Sequence, residues 1–456
     1  MSQDLPDDAP LIHDLIGIGF GPSNVAMAIA LSEHNAGVGP QEAVTAHFFE
    51  QQPRFGRHRG MLIDDATMQV SFLKDLVTLR NPTSEHSFLC YLQSRGRLID
   101  FVNHKNLFPL RVEFHDYFEW AAAKVDDMVS YGCEVVAVRP VVRDGLIEYL
   151  DVTARSGTET VVHRARNLVI GTGLRPQMPE GADRTERVWH TSELLTRVAA
   201  LDGAEPSRFV VVGAGQSAAE NVVFLHRTCP RAEVCAVFSR YGYSPADDSG
   251  FANRIFDPAA VDDYFTAPEE IKRKLIDYHA NTNYSVVDID LIDDLYRQEY
   301  QEKVLGTERL RFLRVSRLAD VTETTDQVLV TVESLVTGEK EALEADALVY
   351  ATGYRSADGL GLLGTWRSTA GATTSAASAS PATTVCRASP NCAAASTSRE
   401  ERSTRTASRP PCCPTPPSGS ARSSSPSSAT AGSRYRPRAR RPRPPPEDLP
   451  PCSAPG

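Results

Sequence analysis

Two segments of this chain share one arrangement, a short apolar run ending in closely spaced glycines and opening a helix-forming stretch. The first is Ile16-Gly17-Ile18-Gly19-Phe20-Gly21-Pro22, followed by an alanine-rich stretch at 24–31. The second is Phe209-Val210-Val211-Val212 followed by Gly213-Ala214-Gly215-Gln216-Ser217-Ala218. In this setting the first glycine makes a tight turn and the second lets a pyrophosphate approach the backbone. The helix N-terminus then supplies free N–H groups and the positive end of its dipole. Two such units predict an α/β fold with two Rossmann-like dinucleotide-binding domains.

Residue types at the next strand ends separate the two units. Glu50 ends the predicted strand 45–50, where a carboxylate accepts hydrogen bonds from an adenosine ribose, as in FAD. Pro22 stands where a third small residue is usual, a position that suits the first turn of a helix. In the second unit the strand 233–239 ends in Ser239-Arg240. A guanidinium there suits the 2'-phosphate that distinguishes NADP from NAD. One chain with both sites fits an enzyme that binds FAD at the first and takes hydride from NADPH at the second. Further strands are expected at 13–17, 167–171, 208–213 and 345–351, and turns at Gly171-Thr172-Gly173 and Thr352-Gly353 fit chain passing between the domains. Amphipathic helices are expected at 267–276 and 289–300, giving a small, partly helical substrate region.

Composition changes sharply after Gly364. Residues 365–456 hold 13 Arg, no Lys and 4 acidic residues, a net +9, whereas residues 1–364 hold 35 basic and 54 acidic residues, a net −19. The tail also holds 16 of the 31 Pro and 5 of the 9 Cys, and its only aliphatic residues larger than Ala are Val385 and Leu449. It cannot bury enough apolar surface to offset the entropy of ordering it, so a disordered low-complexity tail is expected. Its cysteines lack the spacing of a zinc site, and no metal is expected. The body's scattered cysteines fit a reduced compartment. Asp4, Asp7 and Asp8 near the start are opposite in sign to a secretory leader, and no apolar run is long enough for a membrane span. A cytoplasmic protein is expected, and the acidic body argues against nucleic acid as its partner. The expected division is an FAD-binding domain over 1–200, an NADPH-binding domain with the helical insert over 201–330, a return to the FAD-binding domain over 331–364, and the tail.

Between the two units lies a block with its own character, Met68-Gln69-Val70-Ser71-Phe72-Leu73-Lys74-Asp75-Leu76, then Arg80-Asn81-Pro82-Thr83-Ser84 and Phe88-Leu89-Cys90-Tyr91-Leu92. Later come Asp247-Asp248-Ser249-Gly250-Phe251-Ala252-Asn253 and Asn281-Thr282-Asn283-Tyr284-Ser285-Val286-Val287. With these motifs in this order, the chain from about Leu11 to Gly364 closely resembles the flavin-dependent N-hydroxylating monooxygenases of siderophore biosynthesis, and most resembles those acting on L-ornithine at N5. The resemblance implies FAD and NADPH as cofactors and L-ornithine and O2 as substrates, with oxygen delivered through a C4a-hydroperoxyflavin and no enzyme nucleophile. L-lysine or another diamine is the alternative substrate. A homo-oligomer is compatible with it.

By the same resemblance Lys74 binds the substrate carboxylate and Asn253 the amino-acid backbone end, while Asn283 stands between NADP and substrate. Met68 and Gln69 lie against the flavin ring, His58 belongs to the flavin-side loop, and Arg111 lies near flavin and nicotinamide. The cofactor contacts expected from the glycine motifs and turns are Gly17, Gly19, Gly21, Pro22, Glu50, Gly213, Gly215, Gln216, Ser217, Arg240, Thr352 and Gly353. Lys74 could instead pair with Asp75 or a surface acid. One departure is Arg57, where the family usually has Trp before His58.

The resemblance stops after Gly364. A family member continues to a Thr-Glu-His-x-His-Gly-Leu segment and a Leu-Leu-Ser, whose serine contacts substrate. Residues 396–415, written as codons and reread from one base before the Thr397 codon, permit Asn-Leu-Gln-Gly-Gly-Thr-Glu-His-Pro-His-Gly-Leu-Thr-Ser-Ser-Leu-Leu-Ser-Asn. A frameshifted reading of the C-terminus is therefore expected. The rival is an inactive copy with a basic binding tail.

Overall fold

The computed structural model describes residues 12–201, 203–282, 284–368, 372–375 and 383–387. The first glycine motif joins the strand Ile12–Ile18 to the helix Pro22–Ala36, and the next strand, Ala46–Glu50, lies parallel to the first. Ile12–Ile18 is central, paired in parallel also with Glu159–Ile170, while Val129–Tyr131 extends the sheet beyond Ala46–Glu50. The strand ends nearest the glycine turn are apolar and buried, Ile16 to Ile18, Phe48 with Phe49, and Leu168 to Ile170, because both faces are covered there. One face packs Phe20, Val25, Ile29, Phe48 and Phe88 with the helix Arg111–Ala123; the other packs Ile16, Phe49, Leu150, Leu168 and Leu363.

A meander that the sequence reading did not anticipate follows Val129–Tyr131. Glu134–Arg143, Leu146–Ser156 and Glu159–Ile170 pair antiparallel in succession. Two short strands, Ala372–Ser375 and Thr383–Arg387, pair with each other, and the second pairs antiparallel with the end of Glu159–Ile170. The rest of the expected tail lies outside the described residues.

The second glycine motif joins Arg208–Val212 to the helix Gln216–Thr228. Its parallel sheet runs in the order Leu310–Leu313, Glu233–Val237, Arg208–Val212, Ala347–Tyr350, Val188–His190. A three-stranded antiparallel sheet, Ser316–Glu323, Val328–Ser334 and Lys340–Ala345, covers one side of it and shares its apolar core. The expected helices are present as Glu269–His279, which starts just after Pro268, and Ile289–Leu305, which Asp288 caps through its side chain. A third helix, Pro258–Thr266, precedes them.

Chain passes between the two units where the sequence placed its turns. Leu174–Pro176, just after Gly171-Thr172-Gly173, pairs antiparallel with Tyr354–Ser356, just after Thr352-Gly353. The two crossings run side by side.

Candidate active site

Each glycine turn is shaped as a phosphate cradle. Gly19 has φ +84°, and a Cβ there would lie 2.4 Å from the Gly171 carbonyl oxygen. Gly17 sits against the Phe48 ring, whose Cδ1 would be 2.2 Å from a Cβ. Gly21 is the N-cap of Pro22–Ala36 and has no side chain to accept the first-turn N–H groups, and Pro22 opens the helix. A Cβ at Gly21 would meet no protein atom, so the backbone there is open to a ligand. Asn24 donates from Nδ2 to the Gly19 carbonyl at 2.6 Å, while its buried Oδ1 has no partner. Glu50 is 7% exposed; its carboxylate accepts from Phe20 N–H at 2.7 Å and from Gln52 N–H at 2.9 Å. Two donors leave carboxylate lone pairs for ribose hydroxyls. An uncapped helix end fits the pyrophosphate of FAD, and a fixed acid fits its ribose.

The second turn repeats this logic. Gly213 has φ +145°, and a Cβ would lie 2.5 Å from the Ala351 carbonyl oxygen. Gly215 is an N-cap without a side chain, and Ser217 lies in the first turn that follows. Arg240, just past Glu233–Val237, is exposed and donates to the Ser285 carbonyl at 2.9 Å, which holds its guanidinium at the rim of this unit. Thr352 donates to the Gln177 carbonyl, and the Gly353 carbonyl accepts from Gln177 N–H and faces His190 Nε2, each at 3.0 Å.

Near the second turn the cationic side chains of Arg57 and Arg111 gather around His58. His58, with φ 49° in the left-handed region, is exposed on one side. The protein around it, with Arg57 and Arg111, pushes its pKa down to about 4, so its ring is neutral at pH 7. It stands edge-on to Tyr354 with centroids 5.3 Å apart, and Tyr354 in turn meets His190 at 5.1 Å. The Arg57 guanidinium lies 5.9 Å from the Phe118 ring centre. Met68 donates its N–H to the Pro109 carbonyl at 2.8 Å, and Gln69 is exposed in the bend that follows.

The two residues expected at the substrate carboxylate are 179 positions apart and meet. Lys74 Nζ donates to Asn253 Oδ1 at 2.9 Å and lies 4.6 Å from the Phe256 ring centre. Burial lowers the Lys74 pKa, and Asp257 opposes that only in part. Asp75 is not its partner: that carboxylate accepts the N–H groups of Val77, Thr78 and Phe88. Asn253 is aimed by its Nδ2, which donates to the Asp248 carbonyl at 2.7 Å. An ammonium that no carboxylate of the described residues meets in an ion pair, beside an amide and an aromatic face, suits the carboxylate of an amino acid. Asn283 lies outside the described residues, though its neighbour Ser285 packs against Gly215.

Arg111 opens the helix Arg111–Ala123 and makes a bidentate pair with Glu220, at 2.8 and 2.6 Å. Glu220 escaped the sequence reading. Its one local signal is its position four residues after Gln216, whose Nε2 donates to it at 3.0 Å.

The family model described as L-lysine 6-monooxygenase/L-ornithine 5-monooxygenase matches residues 11–356. An L-ornithine N(5)-monooxygenase of Burkholderia cepacia is 42% identical over 353 residues, covering 75% of this chain and 78% of its own. The structure of the ornithine N-hydroxylase of Kutzneria sp. 744 with reduced FAD, NADP+ and L-ornithine superposes with a TM-score of 0.74 at 45% identity, covering 78% of this chain and 84% of that one. The L-lysine 6-monooxygenase of Pseudomonas syringae gives 0.66 at 30% identity, over 76% and 82%.

Proposed function

The chain belongs to the L-lysine 6-monooxygenase/L-ornithine 5-monooxygenase family, and from that premise we propose an FAD- and NADPH-dependent monooxygenase that hydroxylates the side-chain amine of L-ornithine at N5. The observation that carries the assignment of the substrate end is the contact of Lys74 with Asn253. Higher identity to ornithine enzymes than to the lysine enzyme favours the shorter substrate.

FAD, when bound at the first turn, supplies the chemistry that accepts hydride and activates O2. The residues of the chain bind, orient and exclude water. The helix end at Gly21 and the Glu50 carboxylate hold the adenosine diphosphate end. Gly213, Gly215 and Ser217 receive the NADPH pyrophosphate, and Arg240 the 2'-phosphate. Met68, Gln69 and His58 line the flavin side. Lys74 and Asn253 fix the amino-acid end, so methylene count decides which nitrogen reaches the reacting centre. One methylene contributes about 1–3 kcal/mol to such discrimination. The free amine titrates near about 10.4, so the pocket must favour the neutral form by desolvation. We divide the chain as 1–200 with 331–364 for FAD and 201–330 for NADPH, corrected at the crossings, where Val188–His190, Lys340–Ala345 and Ala347–Tyr350 belong to the second unit: Ala347–Tyr350 pairs between Arg208–Val212 and Val188–His190 in its parallel sheet. We place the reaction in the cytoplasm and its product in hydroxamate siderophore or related biosynthesis. Among the described residues no helix is long and apolar enough to cross a membrane.

Residues 365–456 we read as the natural C-terminus translated out of frame. The reread segment supports this, as does the end of the family match at residue 356. Sequencing the gene around the Gly364 codon tests it, and codons that do not reread to the expected segment refute it.

The activity is tested by supplying FAD, NADPH and either amino acid and measuring hydroxylated product. Hydroxyornithine formed at least about tenfold faster than hydroxylysine at subsaturating substrate is expected. A preference for lysine overturns the substrate assignment.

A further inference from the structure

We infer that Glu220 is a positioning residue for hydride delivery, clamping the second dinucleotide helix to the loop that carries His58 through Arg111. This rests on the proposed function, and it deepens it. The pair joins the two units: Arg111 belongs to the helix Arg111–Ala123 packed under the first sheet, and Glu220 to Gln216–Thr228, which opens the second turn. Glu220 is buried, its side chain 5% exposed, and Arg111 is partly buried at 18%.

The pair is one link in a longer chain of contacts. Arg111 Nη1 also donates to the Met61 carbonyl at 3.1 Å, in the loop that carries His58. From Glu220 the chain continues to Gln216 Nε2, and Gln216 Oε1 accepts the Asp288 N–H at 2.8 Å. Asp288 caps Ile289–Leu305. One carboxylate therefore ties the His58 loop, the motif residue Gln216 and the helical insert. A bidentate guanidinium–carboxylate pair fixes orientation as well as distance, which a single hydrogen bond does not.

Position matters at this point. Hydride leaves NADPH, giving NADP+, and reduces FAD, which with one proton from solvent becomes FADH2. That transfer needs the two cofactors in near-attack geometry, and a misplacement of about 1 Å costs on the order of 100-fold in rate.

The test compares the full chain, saturated with FAD, with Glu220→Gln. The expected result is a fall of about 10- to 100-fold in the limiting rate of anaerobic flavin reduction by NADPH. FAD content, the visible spectrum and the rate of reduction by dithionite should match the parent. In the cofactor-free protein, amide hydrogen exchange over residues 61–68 and 216–222 should become faster, a readout that needs no cofactor. Parent-like reduction by NADPH with unchanged exchange overturns the inference. So does a loss of FAD content with an unchanged rate per bound flavin, because that is a purely structural role. If the single variant does not fold, Glu220→Asp, which keeps the charge but shortens the reach to Arg111, is measured instead, against the same outcomes. A parent that NADPH does not reduce at all contradicts the proposed function, while the exchange data still decide whether the clamp exists.

Discussion

Lys74 and Asn253 meet at one point, so their replacement should affect one quantity. Lys74→Met removes the ammonium and keeps the apolar stem against Phe256. A hydrogen bond to a charged group contributes about 1.5–3 kcal/mol, so the KM for L-ornithine should rise about 10- to 100-fold. Flavin reduction by NADPH without substrate should stay within about twofold, since the change lies outside the NADPH turn. Steady-state and stopped-flow kinetics on one preparation check both, and an unchanged KM would remove Lys74 from the substrate site. Arg240 offers the parallel case for the other cofactor. With the guanidinium held at the rim by the Ser285 carbonyl, Arg240→Ser should weaken NADPH binding about tenfold or more and leave NADH binding nearly unaltered. Equal losses for both coenzymes would contradict a 2'-phosphate role.

At the scale of elements, the glycine turns and the strands behind them make separable predictions. Gly213→Ala places a methyl group 2.5 Å from the Ala351 carbonyl oxygen at φ +145°, a strain of about 1–3 kcal/mol. The variant should melt earlier and bind NADPH poorly while keeping FAD; parent-like NADPH binding would show that the turn is not used. Behind the first sheet, His13, His47 and His163 stack on neighbouring strands, with His13 Nε2 and His163 Nδ1 3.0 Å apart. Burial and the two neighbouring imidazoles push His47 down to about 4. Ser130 meets its Nε2, Phe49 stands edge-on to it, and the Asp14 carboxylate acts on His13 and is itself paired with Arg166. The unfolded chain takes up this proton near about pH 6.5 and the folded chain only near 4, so stability is lost as pH falls across that window. The urea midpoint should drop between pH 7 and 5, and less so in His47→Gln; an equal drop in both would exclude the cluster as the cause. The parallel strands and their turns were legible because close backbone approach and positive φ demand glycine, and double burial demands unbroken apolar runs. The two antiparallel sheets were not, since their edges are polar and irregular: Glu134–Arg143 carries Pro140 and two register shifts. The Arg111–Glu220 pair was equally hidden, because a contact across 109 positions leaves no local spacing to read. Lys74 with Asn253 was legible only through the motifs that surround them.

Over the whole molecule, the −19 body and the +9 tail behave as two different polymers in one chain. The body contains both dinucleotide turns, the His58 loop and the Lys74–Asn253 contact. Leu363, just ahead of the tail, is the last aliphatic residue among the described ones that packs in the first unit's core. If the tail replaces elements that complete the flavin site, the 456-residue chain should hold FAD weakly and waste NADPH, whereas the body continued in the alternative frame should couple the two. The measurement that bears most directly on the account is the ratio of N5-hydroxyornithine formed to NADPH consumed, with saturating FAD, for both forms side by side. The account predicts a ratio approaching one for the reframed protein and a much smaller one, with hydrogen peroxide making up the difference, for the 456-residue chain. NADPH consumption without hydroxyornithine in both forms would contradict it.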